Sequence, residues 1–166
     1  LLPIATAAAI FGSVSSSYVN QWDLPVHFQC PAGQFLSAVS SIHNNHREDR
    51  LWNFACRPVC HGCHLSSCKW TGYVNYWDEP ISFLCPANYF ITGVESVHDN
   101  HFEDRRYKFK CCTLKTCSCS ITPYVNDWDL PLHYYVPHGQ VLVGWASWHD
   151  NHREDRRHKF ITCSLD

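Results

Sequence analysis

The apolar residues of this chain alternate with polar ones in segments that recur along its length. Trp52, Phe54 and Cys56 alternate with more polar residues, and two later segments repeat this spacing. A period of two is typical of a β-strand, because successive side chains of an extended chain point to opposite faces. The alternation predicts strands with one buried face, at Asp49–Cys56, Asp104–Cys111 and Asp155–Thr162.

Two further strands are predicted ahead of each alternating segment. The first is short and leads into a turn that contains proline, at Val26–Cys30, Ile81–Cys85 and Leu132–Val136. The second is longer and rich in β-branched and aromatic residues, at Phe35–His43, Phe90–His98 and Val141–His149. Its apolar positions are spaced by three around Ala38, Gly93 or Gly144, so we expect a β-bulge there. A helix would fit that spacing too, but the glycines and the β-branched residues argue against it.

The chain therefore contains three copies of one pattern. Each copy opens with Tyr-Val-Asn-X-Trp-Asp and later carries a His-X-Asn-His loop, at His43, His98 and His149. The loops start 55 and 51 residues apart, as the numbers of the three histidines show, and such a period indicates repeated supersecondary units. We predict an all-β fold of three homologous antiparallel β units, residues 18–56, 73–111 and 124–163, in one disulfide-stapled domain over 18–166. The units would form a pseudo-threefold barrel or prism, with a β-trefoil as the nearest named form.

The cysteine content points to an oxidising compartment and a disulfide framework. Eleven of the 166 residues are cysteine, which is far above ordinary usage in reducing compartments. Two strand positions hold cysteine in the first two units and change together in the third, to Val136 and Thr162. Partners of one bond should be lost together, and such a bond is worth roughly 3 kcal/mol. The predicted disulfides at these positions are Cys30–Cys56 and Cys85–Cys111.

The remaining cysteines lie in the two linkers or at the ends of the last strands. Cys163 is in the register of Cys112, so both should bond to a linker cysteine. Three further bonds are predicted: Cys68–Cys112, Cys163 with either Cys117 or Cys119, and a local bond Cys60–Cys63. One cysteine is then left over.

Residues 1–17 form an apolar run followed by small residues. The run is too short to span a bilayer and is similar to the apolar core and cleavage zone of a signal peptide. We interpret 1–17 as the remnant of a secretory signal peptide and expect a secreted protein without a membrane span. The net charge of −2 is too small to attract nucleic acid by bulk electrostatics.

Two motifs invite a metal or catalytic interpretation, and we favour a structural one for both. The His-X-X-His pairs have ligand types that suit zinc, but their spacing is not diagnostic and a turn with asparagine needs polar residues anyway. The Glu-Asp pairs before Arg50, Arg105 and Arg156 resemble the carboxylates of glycosidases. These arginines share the inward phase of the strand, and a buried arginine needs a carboxylate. We therefore expect ion pairs within each unit, and we predict no catalytic residue, metal site or cofactor.

Basic residues alternate on the opposite face of the last strands. They are Arg106, Lys108 and Lys110 in the second unit, and Arg157 and Lys159 in the third. Residues two apart on one strand face lie about 7 Å from each other, so the strip could follow a regularly charged polysaccharide. A merely solvated strand face explains the pattern equally well. The first unit has Leu51, Asn53 and Ala55 at these places and should not contribute.

The segment Asp49-Arg50-Leu51-Trp52-Asn53-Phe54 resembles the Asp-Arg-X-Trp-X-Phe/Tyr hexapeptide of the dermatopontin family. The opening block of each unit is similar to that of invertebrate members, and the resemblance covers residues 18–166. The hexapeptide departs from the family pattern at its aromatic position, which is Tyr107 in the second unit and His158 in the third.

The resemblance implies a secreted, non-enzymatic extracellular-matrix protein that assists matrix assembly and cell adhesion. Its implied partners are proteoglycans or anionic polysaccharide, matrix proteins and cell surfaces, and a homo-oligomer is a candidate state. The alternative is a defence lectin or haemagglutinin that aggregates cells through repeated carbohydrate sites.

Overall fold

The structure is a computed structural model that describes residues 17–60 and 67–165. These residues form strands and turns, which confirms the all-β prediction, and they include no helix that could cross a membrane. The eleven strands are β1 (Val26–Gln29), β2 (Gln34–Asn44), β3 (Asp49–Pro58), β4 (Cys68–Trp70), β5 (Ile81–Leu84), β6 (Tyr89–Asp99), β7 (Asp104–Thr113), β8 (Thr116–Ile121), β9 (Leu132–Tyr135), β10 (Gln140–Asp150) and β11 (Asp155–Leu165). Nine of them are the predicted strands, whereas β4 and β8 lie in segments that were expected to be linkers.

Each sheet combines strands from two repeats. The orders are β1-β6-β7-β4, β5-β10-β11-β8 and β3-β2-β9, with antiparallel pairing throughout. The short first strand of every repeat is therefore the edge strand of another repeat's sheet. The exchange is cyclic, because β1 joins the second repeat, β5 joins the third and β9 returns to the first.

The predicted β-bulges are confirmed in all three long strands. The pairing register shifts between Leu36 and Ala38, and at the two corresponding places in β6 and β10. A side chain on Gly144 would meet the carbonyl oxygen of Phe83 at 2.7 Å. Glycine at this bulge therefore lets the edge strand β5 approach β10 closely.

One hydrophobic core takes in residues of all three repeats. Trp52, Tyr107 and His158 occupy corresponding positions of β3, β7 and β11, and each is at most 2% exposed. Trp145 contacts all three, with ring-centre distances of 5.7, 6.1 and 5.8 Å. Its indole N–H also donates a hydrogen bond to Nδ1 of His158 at 2.9 Å. Different aromatic residues at one repeat position thus fill a shared interior.

The disulfides connect the sheets as well as the strands. Cys30–Cys56 and Cys85–Cys111 are formed as predicted. Cys30 follows β1, which belongs to the second repeat's sheet, whereas Cys56 lies in β3 of the first repeat's sheet. The bond therefore reinforces the strand exchange.

The linker strands carry the second type of disulfide. Cys68 of β4 lies opposite Cys112 of β7 and is bonded to it, as predicted. Cys119 of β8 lies opposite Cys163 of β11, and this pairing selects Cys119 rather than Cys117 as the partner of Cys163. Cys60 is also disulfide-bonded. Cys63, its predicted partner, and residues 1–16 of the predicted leader lie outside the described residues.

Candidate functional site

Three buried arginines form ion pairs that link the repeats in a closed cycle. Arg105 donates through Nε and Nη2 to both carboxylate oxygens of Asp49, at 2.6 and 2.8 Å. Arg156 makes the same contact with Asp104, and Arg50 with Asp155, each at 2.7 Å. We call these six residues the ion-pair ring.

The expectation of ion pairs within each unit is wrong, because every pair of the ring joins two repeats. Asp49 and Arg50 are neighbours in one strand, so their side chains diverge and cannot form a bidentate contact with each other. The strand exchange brings the aspartate of one repeat to the arginine of another. Arg50 is 4% exposed and Asp155 is also 4% exposed, so these are buried pairs for which loss of one partner is costly.

The ring aspartates also hold the opening turn of their own repeat. Asp49 Oδ2 accepts a hydrogen bond from the backbone N–H of Asp23 at 2.8 Å, and the other two repeats make the corresponding contact. Asp23 has a φ of 65°, in the left-handed region that aspartate tolerates better than most residues. Each ring carboxylate thus joins its own turn to the arginine of a second repeat.

The ring surrounds a cavity of about 20 Å³ that is also lined by Glu48, Glu103 and Glu154. Clefts for small molecules usually have several hundred Å³, so this cavity can hold water but no sugar ring. Burial, followed by the negative charges of Asp78 and Glu48, raises the pKa of Glu154 to about 7. Burial likewise raises the pKa of Glu48 and of Glu103. The three pKa values are raised because these carboxylates line the same partly buried cavity.

The two histidines of each His-X-X-His pair lie in different environments. The His43 side chain is 1% exposed and points inward, whereas His46 is exposed on the turn. The turn is held by Asn44, whose Oδ1 accepts from the backbone N–H groups of His46 and Arg47. These contacts are the ones expected of a polar turn, and they separate the two imidazoles instead of bringing them to one ligand.

Five basic residues were predicted on the outer faces of β7 and β11, and four of them contact a tyrosine side chain from the opening segment of their repeat. Arg106 Cζ lies 4.3 Å from the ring centre of Tyr73, and Lys108 Nζ lies 4.5 Å from it. Arg157 and Lys159 approach Tyr124 to 4.1 and 4.4 Å. Cations within about 6 Å of an aromatic ring are attracted to it, so each tyrosine contacts two cations. The two cation–tyrosine clusters are Tyr73 with Arg106 and Lys108, and Tyr124 with Arg157 and Lys159.

The fifth basic residue, Lys110, lies outside the clusters. Its Nζ donates a hydrogen bond to Oε1 of Gln29 in β1 at 2.9 Å. The predicted strip of the second repeat is therefore divided between a tyrosine contact and a contact with another repeat's strand.

The two clusters differ in what their paired strands place beside them. Glu95 lies opposite Lys108 and pairs with His27 at 2.7 Å. In the third repeat, Ala146 lies opposite Lys159, and Trp148 lies opposite Arg157. Trp148 is 54% exposed, so an accessible indole accompanies two cations there. Asp127 lies 4.0 Å from Arg157 and is itself exposed.

The sequence interpretation missed the tyrosines of the clusters. Tyr73 is positioned because the opening segment runs beside β7, where Val74 N–H donates to the carbonyl of Tyr107 at 2.9 Å. The buried side chain of Asn75 fixes that segment, since its Oδ1 accepts from the Tyr107 N–H and its Nδ2 donates to the carbonyl of Arg105. The Tyr-Val-Asn block has the same spacing from the last strand in every repeat, and this constant spacing could have predicted that the tyrosine lies beside that strand.

The described chain is a disulfide-linked β protein with a buried ion-pair ring and two cation–tyrosine clusters on its outer surface. A family model described as Dermatopontin matches residues 20–166. The chain belongs to the dermatopontin family, whose members are non-enzymatic extracellular-matrix proteins.

Three relatives show the range of this similarity. The chain is 48% identical to a "Hemagglutinin/amebocyte aggregation factor" from Limulus polyphemus, over 91% of this chain and 89% of that protein. It is 40% identical to "Millepora cytotoxin-1" from Millepora dichotoma, over 89% of this chain and 66% of that protein. It is also 40% identical to a dermatopontin from Biomphalaria glabrata, over 89% of this chain and 99% of that protein. No solved structure matches the chain.

Proposed function

We propose that this protein is a secreted, non-enzymatic matrix and adhesion protein that binds anionic polysaccharide through its cation–tyrosine clusters. The family supports the matrix or adhesion role. The observation that carries the ligand class is the repeated arrangement of two cations against one tyrosine ring. The proposed ligands are the sulfated chains of proteoglycans. By binding these chains, the protein would be linked to matrix proteins and cell surfaces.

The clusters supply both charge and shape for such a ligand. Arg157 and Lys159 lie two residues apart on one face of β11, a spacing of about 7 Å. Both side chains contact the ring of Tyr124, and this contact restricts them. Restricting flexible cations before binding lowers the entropy lost on association. Since both groups are partly exposed, salt should screen their attraction for an anionic chain.

The second candidate function is that of a lectin that aggregates cells. It is favoured by the similarity to the Limulus protein, whose name describes haemagglutination and amebocyte aggregation. Trp148 and Tyr76 are 54% and 75% exposed, and exposed aromatic faces can pack against neutral sugar rings. The lectin would bind sugars with little dependence on salt, whereas the cation–tyrosine clusters require negative charge on the ligand.

Heparin chromatography of the Lys108→Gln/Lys159→Gln double variant tests the proposal. The variant should elute at clearly lower salt than the wild type, because one cation of each cluster is lost while both tyrosines remain. The matched control is Asn53→Glu/Ala55→Glu, on the outer face of β3. It lowers the net charge by the same amount but leaves both clusters intact, and it should elute close to the wild type.

Two outcomes would contradict the proposal. Equal elution shifts for the two double variants would mean that heparin retention reports net charge alone. An unchanged elution of the Lys108→Gln/Lys159→Gln variant, with agglutination inhibited by neutral sugars and not by heparin, would favour the lectin.

A further inference from the structure

Each inward histidine faces an aspartate from the opening turn of another repeat. His98 Nδ1 lies 3.5 Å from Oδ1 of Asp23, and His43 Nδ1 lies 3.5 Å from Oδ1 of Asp129. His149 Nδ1 lies 3.4 Å from Oδ1 of Asp78. The three histidine side chains are each 1% exposed. None of the six facing atoms has a hydrogen-bond partner in the described part of the chain.

At His98 and at His43, the histidine tautomer leaves two acceptors opposite each other. Nε2 of His98 lies 3.2 Å from the carbonyl oxygen of Glu48, and a carbonyl oxygen only accepts hydrogen bonds. Nε2 therefore carries the hydrogen, and Nδ1 of the neutral ring presents a lone pair to a carboxylate oxygen. Two buried acceptors at this separation are stable only with a proton or a metal ion between them. His149 has no such contact through Nε2 among the described residues, so either of its ring nitrogens can accept a proton or bind a metal ion.

The second repeat's turn differs from the other two in its surrounding charge. Arg47 lies 3.5 Å from Asp23, and Arg153 lies 3.4 Å from Asp129. The corresponding residue of the second repeat is Phe102, which stacks on Trp77 at 5.5 Å between ring centres. Asp78 thus has no arginine from that loop position, and the acidic Glu79 follows it where the other turns have leucine.

The His149 ring is also the least satisfied of the three. Both of its nitrogens lack a hydrogen-bond partner among the described residues. Nε2 lies 3.9 Å from Oδ1 of Asp104, and this carboxylate is already neutralised by Arg156. Of these two carboxylates, Asp78 is the one to which Arg156 donates no hydrogen bond.

We propose that Asp78, Asp104 and His149 form a binding site for one divalent transition-metal ion of the zinc type. One ligand atom from each residue lies within 4.8 Å of the other two. Tetrahedral Zn²⁺ with ligands at about 2.1 Å places a nitrogen and an oxygen ligand about 3.4 Å apart, and the His149 Nδ1 to Asp78 Oδ1 distance is 3.4 Å. Imidazole nitrogen and carboxylate oxygen are both ordinary zinc ligands.

The ion would reach the site from the Asp78 side, whose side chain is 29% exposed. Asp78 and Asp104 belong to the second repeat and His149 to the third, so the ion would cross-link two repeats. The third repeat lacks the counterpart of the Cys30–Cys56 bond, since Val136 and Thr162 stand there. Binding to the folded state alone should raise the melting temperature.

Calorimetric titration of EDTA-treated, dialysed protein with ZnCl₂ tests the site. The wild type should bind one ion per chain, with a rise in melting temperature. Asp78→Asn should weaken the affinity by more than about tenfold, because loss of a direct ligand should cost at least as much as loss of a group that only orients a ligand. Its fold should persist, because it is the backbone N–H of Asp78 that bonds to Asp104, and circular dichroism checks this.

Phe102→Arg keeps every ligand and restores the arginine found in the other repeats, so it should weaken zinc binding roughly tenfold through charge alone. Arg153→Phe removes the competing cation at Asp129 and should add a second, weaker ion. The proposal is overturned if the wild type takes up no zinc. It is equally overturned if neither Asp78→Asn nor Phe102→Arg changes the affinity, because the ion would then be held by exposed histidines elsewhere.

Discussion

Arg105 and Arg106 are neighbours in β7, yet their guanidinium groups serve the molecule in different ways. Arg105 is 3% exposed and donates two hydrogen bonds to Asp49 of another repeat. Arg106 lies on the outer face, 4.3 Å above the ring of Tyr73. The third repeat has the same contrast, with Arg156 in the ring and Arg157 against Tyr124.

The alternation of side chains along a strand therefore decides whether a charged residue is buried in an ion pair or exposed on the surface. An inward guanidinium loses its water and must be compensated by a carboxylate with good geometry. An outward guanidinium keeps part of its water, so its contact with a ring is weak and the cation stays available to a ligand. In the first repeat, the inward arginine is present as Arg50, but the outward position is occupied by Leu51. The inward charge therefore occurs there without the outward one.

Replacing Arg105 by alanine should have the largest effect on stability. The Asp49 carboxylate would remain buried without its guanidinium partner, and such losses cost about 3–5 kcal/mol. Urea denaturation measures the free energy of unfolding, and Arg105→Lys should be intermediate because lysine cannot make the bidentate contact. A loss no larger than that of Arg106→Ala would contradict the contrast between the two faces.

Acidification should destabilise the interior through His158, which lies in the aromatic core. Burial, followed by the charges of Arg50 and Arg156, holds the pKa of His158 well below its usual value. The folded state therefore binds fewer protons than the unfolded chain below about pH 6.5, and this contribution to stability is lost as pH falls, at up to about 1.4 kcal/mol per pH unit.

His158→Phe isolates that effect. The variant should be less stable than the wild type at neutral pH, because the Trp145 N–H loses its acceptor. Between about pH 6.5 and pH 5, its free energy of unfolding should fall less steeply than that of the wild type. Parallel pH profiles for the two proteins would mean that His158 does not titrate as the interior position requires.

Replacing Arg106 by alanine should have the smallest effect on stability. An exposed cation–π contact is worth about 0.5–1 kcal/mol, so the free energy of unfolding should change by less than that of any ring variant. Retention on heparin should nevertheless decrease, since the Tyr73 cluster loses one of its two cations. The control is Leu51→Ala, on the corresponding face of β3. If Arg106→Ala and Leu51→Ala elute from heparin at the same salt concentration, Arg106 contributes to packing and not to heparin binding.

Much of the fold follows from local pattern. The period of two placed Trp52, Phe54 and the basic residues on opposite faces of their strands, and the structure has them there. The spacing of three around Gly93 predicted the bulge that the pairing register shows. The joint loss of two cysteines in the third repeat identified Cys30–Cys56 and its counterpart, because a covalent pair leaves a paired signature in a repeated sequence.

The partners of the charged residues depend on the tertiary structure. The repeats share the same motifs, so a ring carboxylate in one repeat is indistinguishable by pattern from its counterparts in the others. Only the exchange of β1, β5 and β9 between sheets decides that Arg105 meets Asp49 of another repeat and that His149 faces Asp78. The face that each side chain occupies can be predicted from the sequence, because it depends on the geometry of one strand. Which residue a side chain contacts on that face depends on how strands far apart in the chain pack together. The local periodicity of the sequence does not predict this packing.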